Sequence, residues 1–502
     1  MVWSIQSAGT RFLERASAGL FAASELDFGY TRSVTTQNEW PRLPVDRLPT
    51  GQRHEVAPSD LFFSTTDLLG VITGANPVFV RLSRFGYREL MNAPHNIIRH
   101  PVMPGGAFKL MWDTLKAGEP FCAYVDNLAS GGSTYSVFAT ITPLGHDSYL
   151  SVRCRPQRTD LRGAAFSLYE AARAQELDAR AAGMSDRQAA VIGLSNLAAG
   201  LKSAGFATYK DFMEVALPAE VEIRLSQPLE TRPTAIGPAS DMLVAANRLS
   251  GNLHDWSMHQ TRLSDVAQRL KNAIPMLRAS MDDALATAKS FVATDDGGFT
   301  PLMVWIELWA QMMGTMNAVL SELTGSLADL WDSCLRTSFR ISLAVLHTQT
   351  VAQFAAELID GVTVPDYDEN ARTTAVMALG QALVEGFDLA RQQDAHNAEQ
   401  AQAATNQLAF VRDLMGVPRE LIVSWQAMAA TQTNEVITRA LPAMTEQMRN
   451  TDATLALLDQ LRDSVSTVAM SAPSEQVNES LTRVLRTVDA LARQSSRPPA
   501  TP

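Results

Sequence analysis

Apolar and polar positions along the chain follow two different periods, and the switch between them divides the sequence. From Asp60 to Arg155, short β-rich runs alternate with turn signals: Leu61–Thr66 and Gly70–Thr73, joined through Asp67, then Phe121–Asn127, Thr134–Thr142 and Tyr149–Arg155. Gly131-Gly132 and Gly145-His146-Asp147 supply the turns between the last three runs. Between the second and third runs, Phe79, Val80, Leu82 and Leu90 recur near helical spacing, and Phe108 to Leu115 is a stronger amphipathic stretch. Two strands, several short helices and three strands bury their apolar faces most economically as an antiparallel sheet covered on one face by helices.

After Arg158 the period becomes helical. Leu161–Ala182 and Asp186–Ser203 are amphipathic, with Ser185 as N-cap and Gly183 and Gly205 as stops. Pro228, Pro233 and Pro238 mark a linker at 228–239. Beyond Ser240 the pattern predicts long helices interrupted at Asp295–Thr300, Gly361–Tyr367, Gly416–Pro418 and Ser471–Pro473. Two narrow apolar seams, one of Leu458, Leu461, Val465 and Val468 and one of Val477, Leu481, Val484, Val488 and Leu491, alternate spacings of three and four. Such seams need a partner helix, in the same chain or in a second protomer. The expected organisation is a partly disordered leader and linker at 1–56, an α+β domain at 57–158, a helical subdomain at 159–227, the linker at 228–239, a large all-α, partly coiled-coil-like region at 240–494, and a disordered tail at 495–502.

Composition narrows the function classes. With 42 Lys+Arg against 53 Asp+Glu the formal charge is -11, which disfavours nucleic-acid binding. The cysteines, Cys122, Cys154 and Cys334, are widely spaced and form no Cys-x-x-Cys pair, so neither a disulfide framework nor a zinc site is expected. Arg11, Glu14 and Arg15 interrupt the first apolar stretch, against an export signal, and Glu307, Gln311 and Asn317 interrupt the apolar segment Leu302–Leu320, against a membrane span. A cytoplasmic protein is the expectation. His254 and His259, five apart on a helix, read as solvated rather than as metal ligands. No Gly-rich phosphate loop, Gly-x-Ser-x-Gly elbow or kinase signature is present, and the protein is not expected to be an enzyme.

One stretch concentrates polar chemistry: Pro94-His95-Asn96-Ile97-Ile98-Arg99-His100-Pro101 is a poor helix and a poor strand, hence an ordered loop or a broken helix. Arg99 offers a planar fork of donors and His100 a switchable donor or acceptor. The alternative is that both merely satisfy nearby backbone carbonyls.

Together with Phe63-Ser64-Thr65-Thr66-Asp67, Gly70-Val71-Ile72-Thr73, Ala75-Asn76, Phe85–Leu90 and Trp112–Pro120, this stretch resembles the PAS domain of bacterial aerotaxis receptors over about residues 57–158. The resemblance implies a PAS fold that holds FAD non-covalently and senses redox or oxygen state. By position it assigns cofactor contacts to Asn76, Arg99, His100, Trp112, Phe121 and Asn127. Three positions depart from the receptors: Val102 stands where they have Asp, Phe121 where they have Trp, and Asn127–Gly132 lacks their cations. Cys122 could offer a thiol to a flavin but reads first as a small buried hydrophobe. The expectation is a flavoprotein sensor that relays its state through the helical region to an unknown downstream signalling protein, with homodimerisation through the C-terminal helices. The alternative is a PAS-containing interaction scaffold with no ligand.

Overall fold

A computed structural model of the protein describes residues 48–145, 147–292, 300–429, 435–469 and 474–495. Most of the expected leader, most of the Asp295–Thr300 interruption, the Ser471–Pro473 interruption and the tail from residue 496 lie outside the described residues.

The β-rich runs form β1 (Leu61–Asp67), β2 (Ile72–Ala75), β3 (Phe121–Leu128), β4 (Thr134–Leu144) and β5 (Ser148–Cys154), one antiparallel sheet in the order β2-β1-β5-β4-β3. Residues directly opposite across a ladder share a face. The register therefore lines up Phe62, Arg153, Ala139 and Ala123 on one face, then Ser64, Ser151, Ile141 and Phe121 on the same face, with Tyr135 opposite Asn127 further along. Helices α1 (Pro77–Ser83) and α2 (Tyr87–Leu90), a 3-10 turn at His95–Ile98 and helix α3 (Gly105–Lys116) follow β2. Phe79, Leu82, Leu90 and Ile98 from these elements form one core with Phe62, Tyr135 and Val137 of this inner face. The Pro-rich loop is thus a single 3-10 turn, opened by Pro94, in which a proline costs no helical hydrogen bond.

Residues 50–54, at the end of the expected leader and linker, pair with the sheet. Thr50 and His54 donate backbone hydrogen bonds to Gly132 and Thr134, and Arg53 pairs with Asp126 at 3.1 Å. After the sheet come α4 (Thr159–Ala181), α5 (Asp186–Ser203) and α6 (Tyr209–Leu225). Ser185 caps α5 in a reciprocal box with Gln188, as its place before the apolar run predicts. The α4–α5 pair packs on α3 so closely that a Cβ on Gly106 would lie 2.3 Å from the Leu194 backbone nitrogen.

The long helices are α7 (Pro238–Val292), α8 (Thr300–Ile359), α9 (Glu369–Ala429), α10 (Glu435–Ala469) and α11 (Ser474–Ser495). The chain separates into two units, the first holding residues up to 254 with 341–387 and 476–502, the second holding 255–340 and 388–475. Helices α7, α8 and α9 thus contribute to both. The break expected at Gly416–Pro418 does not occur, because α9 runs through it. A proline forfeits one helical hydrogen bond, and Leu408, Val411 and Met415, buried in the core of the second unit, hold the helix on its course.

In the first unit, the part of α8 after residue 341 lies against the outer face of the sheet. Phe354 meets Phe63 edge-on at 6.0 Å, His347 lies 3.4 Å from the Thr142 hydroxyl, and Glu357 reaches Asn76. In the second unit, Leu458 and Val465 are buried with Leu263, Leu270 and Leu408, with Leu461 and Val468 packed alongside. Val477, Val484 and Val488 are buried in the first unit. The first seam finds its partners within the chain and by itself calls for no second protomer. His259, expected on a solvated face, is buried, and its burial lowers its pKa. Among the described residues no helix is long and apolar enough to cross a membrane.

Candidate ligand-binding interior

The inner face of the sheet is apolar except along one line of side chains. Arg153 projects from β5 into this interior and is only 2% exposed. Its Nη2 donates to the Ser64 hydroxyl at 3.0 Å and to Nε2 of His95, on the 3-10 turn. A guanidinium has no acceptor, so Nε2 of His95 must be the bare nitrogen and the ring neutral. Burial, reinforced by the charges of Arg153 and Arg99, holds the His95 pKa well below that of a free imidazole, in agreement. The guanidinium also lies 4.9 Å from the centre of the Phe79 ring.

Arg99, at the end of the same turn, pairs through its backbone with Asn127 on the β3 edge and lays its guanidinium over the Phe108 ring at 3.5 Å. Burial lowers its pKa to about 10, with Arg173 adding to the effect and Glu176 opposing it. Burial likewise lowers Arg153 to about 10. Both remain cationic at neutral pH. Glu176 is the nearby carboxylate, and it is already committed: it accepts from the Gly105 and Gly106 backbone N–H groups at 2.9 and 2.7 Å, capping α3, and pairs with Arg173 at 3.0 Å.

Four buried polar atoms here have no hydrogen-bond partner: Nε of Arg99, Nδ2 of Asn127, the Tyr135 hydroxyl and Nη1 of Arg153. Buried donors are seldom left unmet, since each costs about 1–3 kcal/mol. These four lie on the inner side of the sheet or on the turn that packs against it.

The residues singled out in the sequence divide by position. Arg99 and Asn127 are brought together, and Phe121 shares the inner face with them, stacked on Tyr209 of α6 at 5.1 Å between ring centres. Trp112 on α3 meets Tyr149 at 5.8 Å and closes over Gly70, where a Cβ would lie 2.9 Å from the indole; Gly70 has φ +77°, so glycine is required twice over. His100 is half-buried beyond the turn, its Nδ1 accepting from the Val102 backbone, and burial lowers its pKa. Asn76 lies apart from this group. Its side-chain oxygen accepts from the Phe63 and Phe79 backbones, capping α1, and its amide nitrogen donates to the Glu357 carboxylate at 3.3 Å on the outer side of the sheet. Cys122 is buried with its pKa raised, mainly by that burial.

Sequence reasoning missed Arg153, Tyr135, Ser64 and His95 as site residues. No local signal marked Arg153: on β5 it lines up with Ser151 and Tyr149, opposite the apolar line of Leu150, Val152 and Cys154, which by itself reads as a polar, outward face.

No protein-family model matches the chain. Over 126 residues it is 40% identical to the aerotaxis receptor of Escherichia coli (strain K12), covering 24% of this chain and 25% of the receptor. Over 89 residues it is 30% identical to the nitrogen fixation regulatory protein of Klebsiella pneumoniae, covering 18% of each. The chain thus spans a quarter or less of the length of these curated relatives. Among solved structures, a fungal LOV domain photoreceptor is 22% identical over 21% of this chain and 81% of its own, with a TM-score of 0.18. A Rhodobacter sphaeroides LOV protein is 15% identical over 29% of this chain and 87% of its own, with a TM-score of 0.19. At such scores the likeness adds nothing to what the strand order already shows. The five-stranded sheet with its short helices is a PAS domain similar to that of aerotaxis receptors, followed by a large helical region that resembles no assigned family.

Proposed function

We propose that the protein is a non-catalytic sensor whose PAS interior holds a ligand and whose helices pass the ligand state to a partner protein. The observation that carries this reading is the set of unmet donors at Arg99, Asn127, Tyr135 and Arg153. FAD is the ligand favoured by the similarity to aerotaxis receptors, and the residues fit it. The acceptor-rich edge of an isoalloxazine calls for buried donors and aromatic walls, and the interior offers Arg99, Asn127 and Tyr135, with Phe108 against Arg99 and with Trp112 and Phe121 further along the inner side of the sheet. Bound flavin supplies a group whose charge changes with the redox state of its surroundings.

This chain's own residues define how such a change leaves the interior. Arg99 is tied electrostatically to Glu176, and Glu176 joins α4 to the first turn of α3. A shift of the Arg99 guanidinium therefore acts on the α4–α5 pair through one carboxylate. On the outer face, Asn76 connects β1 and α1 to Glu357 of α8, the helix that continues into the second unit. Coupling also requires a ligand that binds two arrangements of these contacts with different affinity. The competing reading, a ligand-free scaffold, leaves the four polar atoms without explanation.

The test is an absorbance spectrum of the natively purified chain, with FAD titration of the wild type and of Arg99→Ala. The reading predicts flavin bands, or saturable FAD uptake, weakened at least tenfold in Arg99→Ala, by the loss of a charge-assisted hydrogen bond. A featureless spectrum with no uptake sinks the flavin assignment.

A further inference from the structure

We infer that the PAS interior takes its ligand by an anionic group, a carboxylate or a phosphate, seated against Arg153 beside the Tyr135 hydroxyl. This deepens the reading of the interior as a ligand site and does not depend on the ligand being a flavin.

The two buried charged side chains described in this interior, Arg99 and Arg153, are both positive. Arg153 is 2% exposed, and among the described residues no carboxylate pairs with it. Its neighbours are a hydroxyl, a neutral imidazole and the faces of Phe62 and Phe79. One hydroxyl, one ring nitrogen and two aromatic faces do not replace the water a guanidinium gives up on burial, and a buried charge without a counter-charge is among the least stable arrangements in a protein. The shortfall is located, too. Nη2 is met by Ser64 and His95, whereas Nη1 has no partner. The Tyr135 hydroxyl, on a ring 6.4 Å from the Phe62 ring that Arg153 also faces at 5.7 Å, has none either. A two-oxygen anion can accept from both.

The second guanidinium does not relieve the imbalance. Arg99 and Arg173 share the single carboxylate of Glu176, whose oxygens are also taken by the Gly105 and Gly106 N–H groups. An uncharged ligand would satisfy hydrogen bonds but leave the charge in place. An anion meets both needs.

The experiment uses the dialysed full chain, with isothermal titration and thermal melts in the presence of succinate, inorganic phosphate and lumichrome, an uncharged isoalloxazine-like ring. Wild type is expected to bind succinate or phosphate. Arg153→Met weakens that binding at least tenfold, and Arg153→Lys, which keeps the charge, retains most of it. In anion-free buffer Arg153→Met is expected to raise Tm by about 2–4 °C, because an uncompensated buried charge has been removed. Succinate alone or phosphate alone would say which anion the site takes. Anion binding equal in wild type and Arg153→Met overturns the inference. Lumichrome binding without anion binding overturns it too, while leaving the interior a ligand site. If no probe binds, both the inference and the ligand-site reading fall, and a lowered Tm in Arg153→Met would then make Arg153 a structural residue.

Discussion

Both faces of the PAS sheet are covered, and they differ in how their buried charged groups are served. On the outer face the buried charged groups have partners supplied by the helices. Glu220 of α6 accepts from the Tyr124 hydroxyl at 2.8 Å and from the Gln157 and Arg158 backbones at 2.6 and 2.9 Å. Arg224 donates to Gln349 at 2.8 Å and to the Pro58 carbonyl at 2.9 Å. On the inner face Arg99, Asn127, Tyr135 and Arg153 each keep an unmet atom. The contrast separates polar groups that hold the fold together from polar groups that, in the proposed reading, serve a ligand. It yields a rule for mutation: deletions should be costly outside and cheap inside.

The largest loss is expected at Glu220. Glu220→Ala strands the Tyr124 hydroxyl and two backbone donors, and chemical denaturation should show a loss of about 3 kcal/mol. Next is a pH effect at Glu357. Burial, ahead of the opposing hydrogen bonds from Gln353 and Asn76, raises its pKa from 4.5 to about 8. An acid with a raised folded pKa favours folding while both states are protonated, and that contribution is lost as pH climbs from the unfolded value to the folded one. Stability should therefore fall progressively between about pH 5 and pH 8 relative to Glu357→Gln, which has no such proton to lose. A parallel pH profile for the two proteins would contradict this. Asn76→Ala removes the α1 cap and the contact to Glu357, with an expected loss of about 1 kcal/mol. The smallest effect belongs inside: Asn127→Leu deletes a donor that has no partner and should cost under about 0.5 kcal/mol in ligand-free protein. A loss as large as that of Glu220→Ala would erase the distinction between the faces.

Much of this was legible in the sequence, for identifiable reasons. The β-rich runs bounded by Asp67, Gly131-Gly132 and Gly145 define the strands, and Ser185 with Gln188 and Gly183 sets the boundary between α4 and α5. Arg99 could be singled out because a cation in a Pro-rich turn is locally conspicuous, whereas Asn127 was assigned only through the resemblance to the aerotaxis-receptor PAS domain. Arg153 was not conspicuous, since its importance depends on which strand lies beside which: it acts on Ser64 and His95, far away in sequence, only through the β1–β5 register. The outward commitment of Asn76 was hidden for the same reason, as its partner Glu357 is 281 residues away. The continuity of α9 through Pro418 reflects tertiary packing outweighing a local breaker.

If the inner face is built around a ligand, native mass spectrometry of the full chain purified under gentle conditions will give a mass above that of the polypeptide by one small molecule per chain, removed on denaturation and reduced in occupancy by Arg99→Ala or Arg153→Met. A mass equal to the bare polypeptide, unchanged after incubation with FAD, succinate or phosphate, would contradict it.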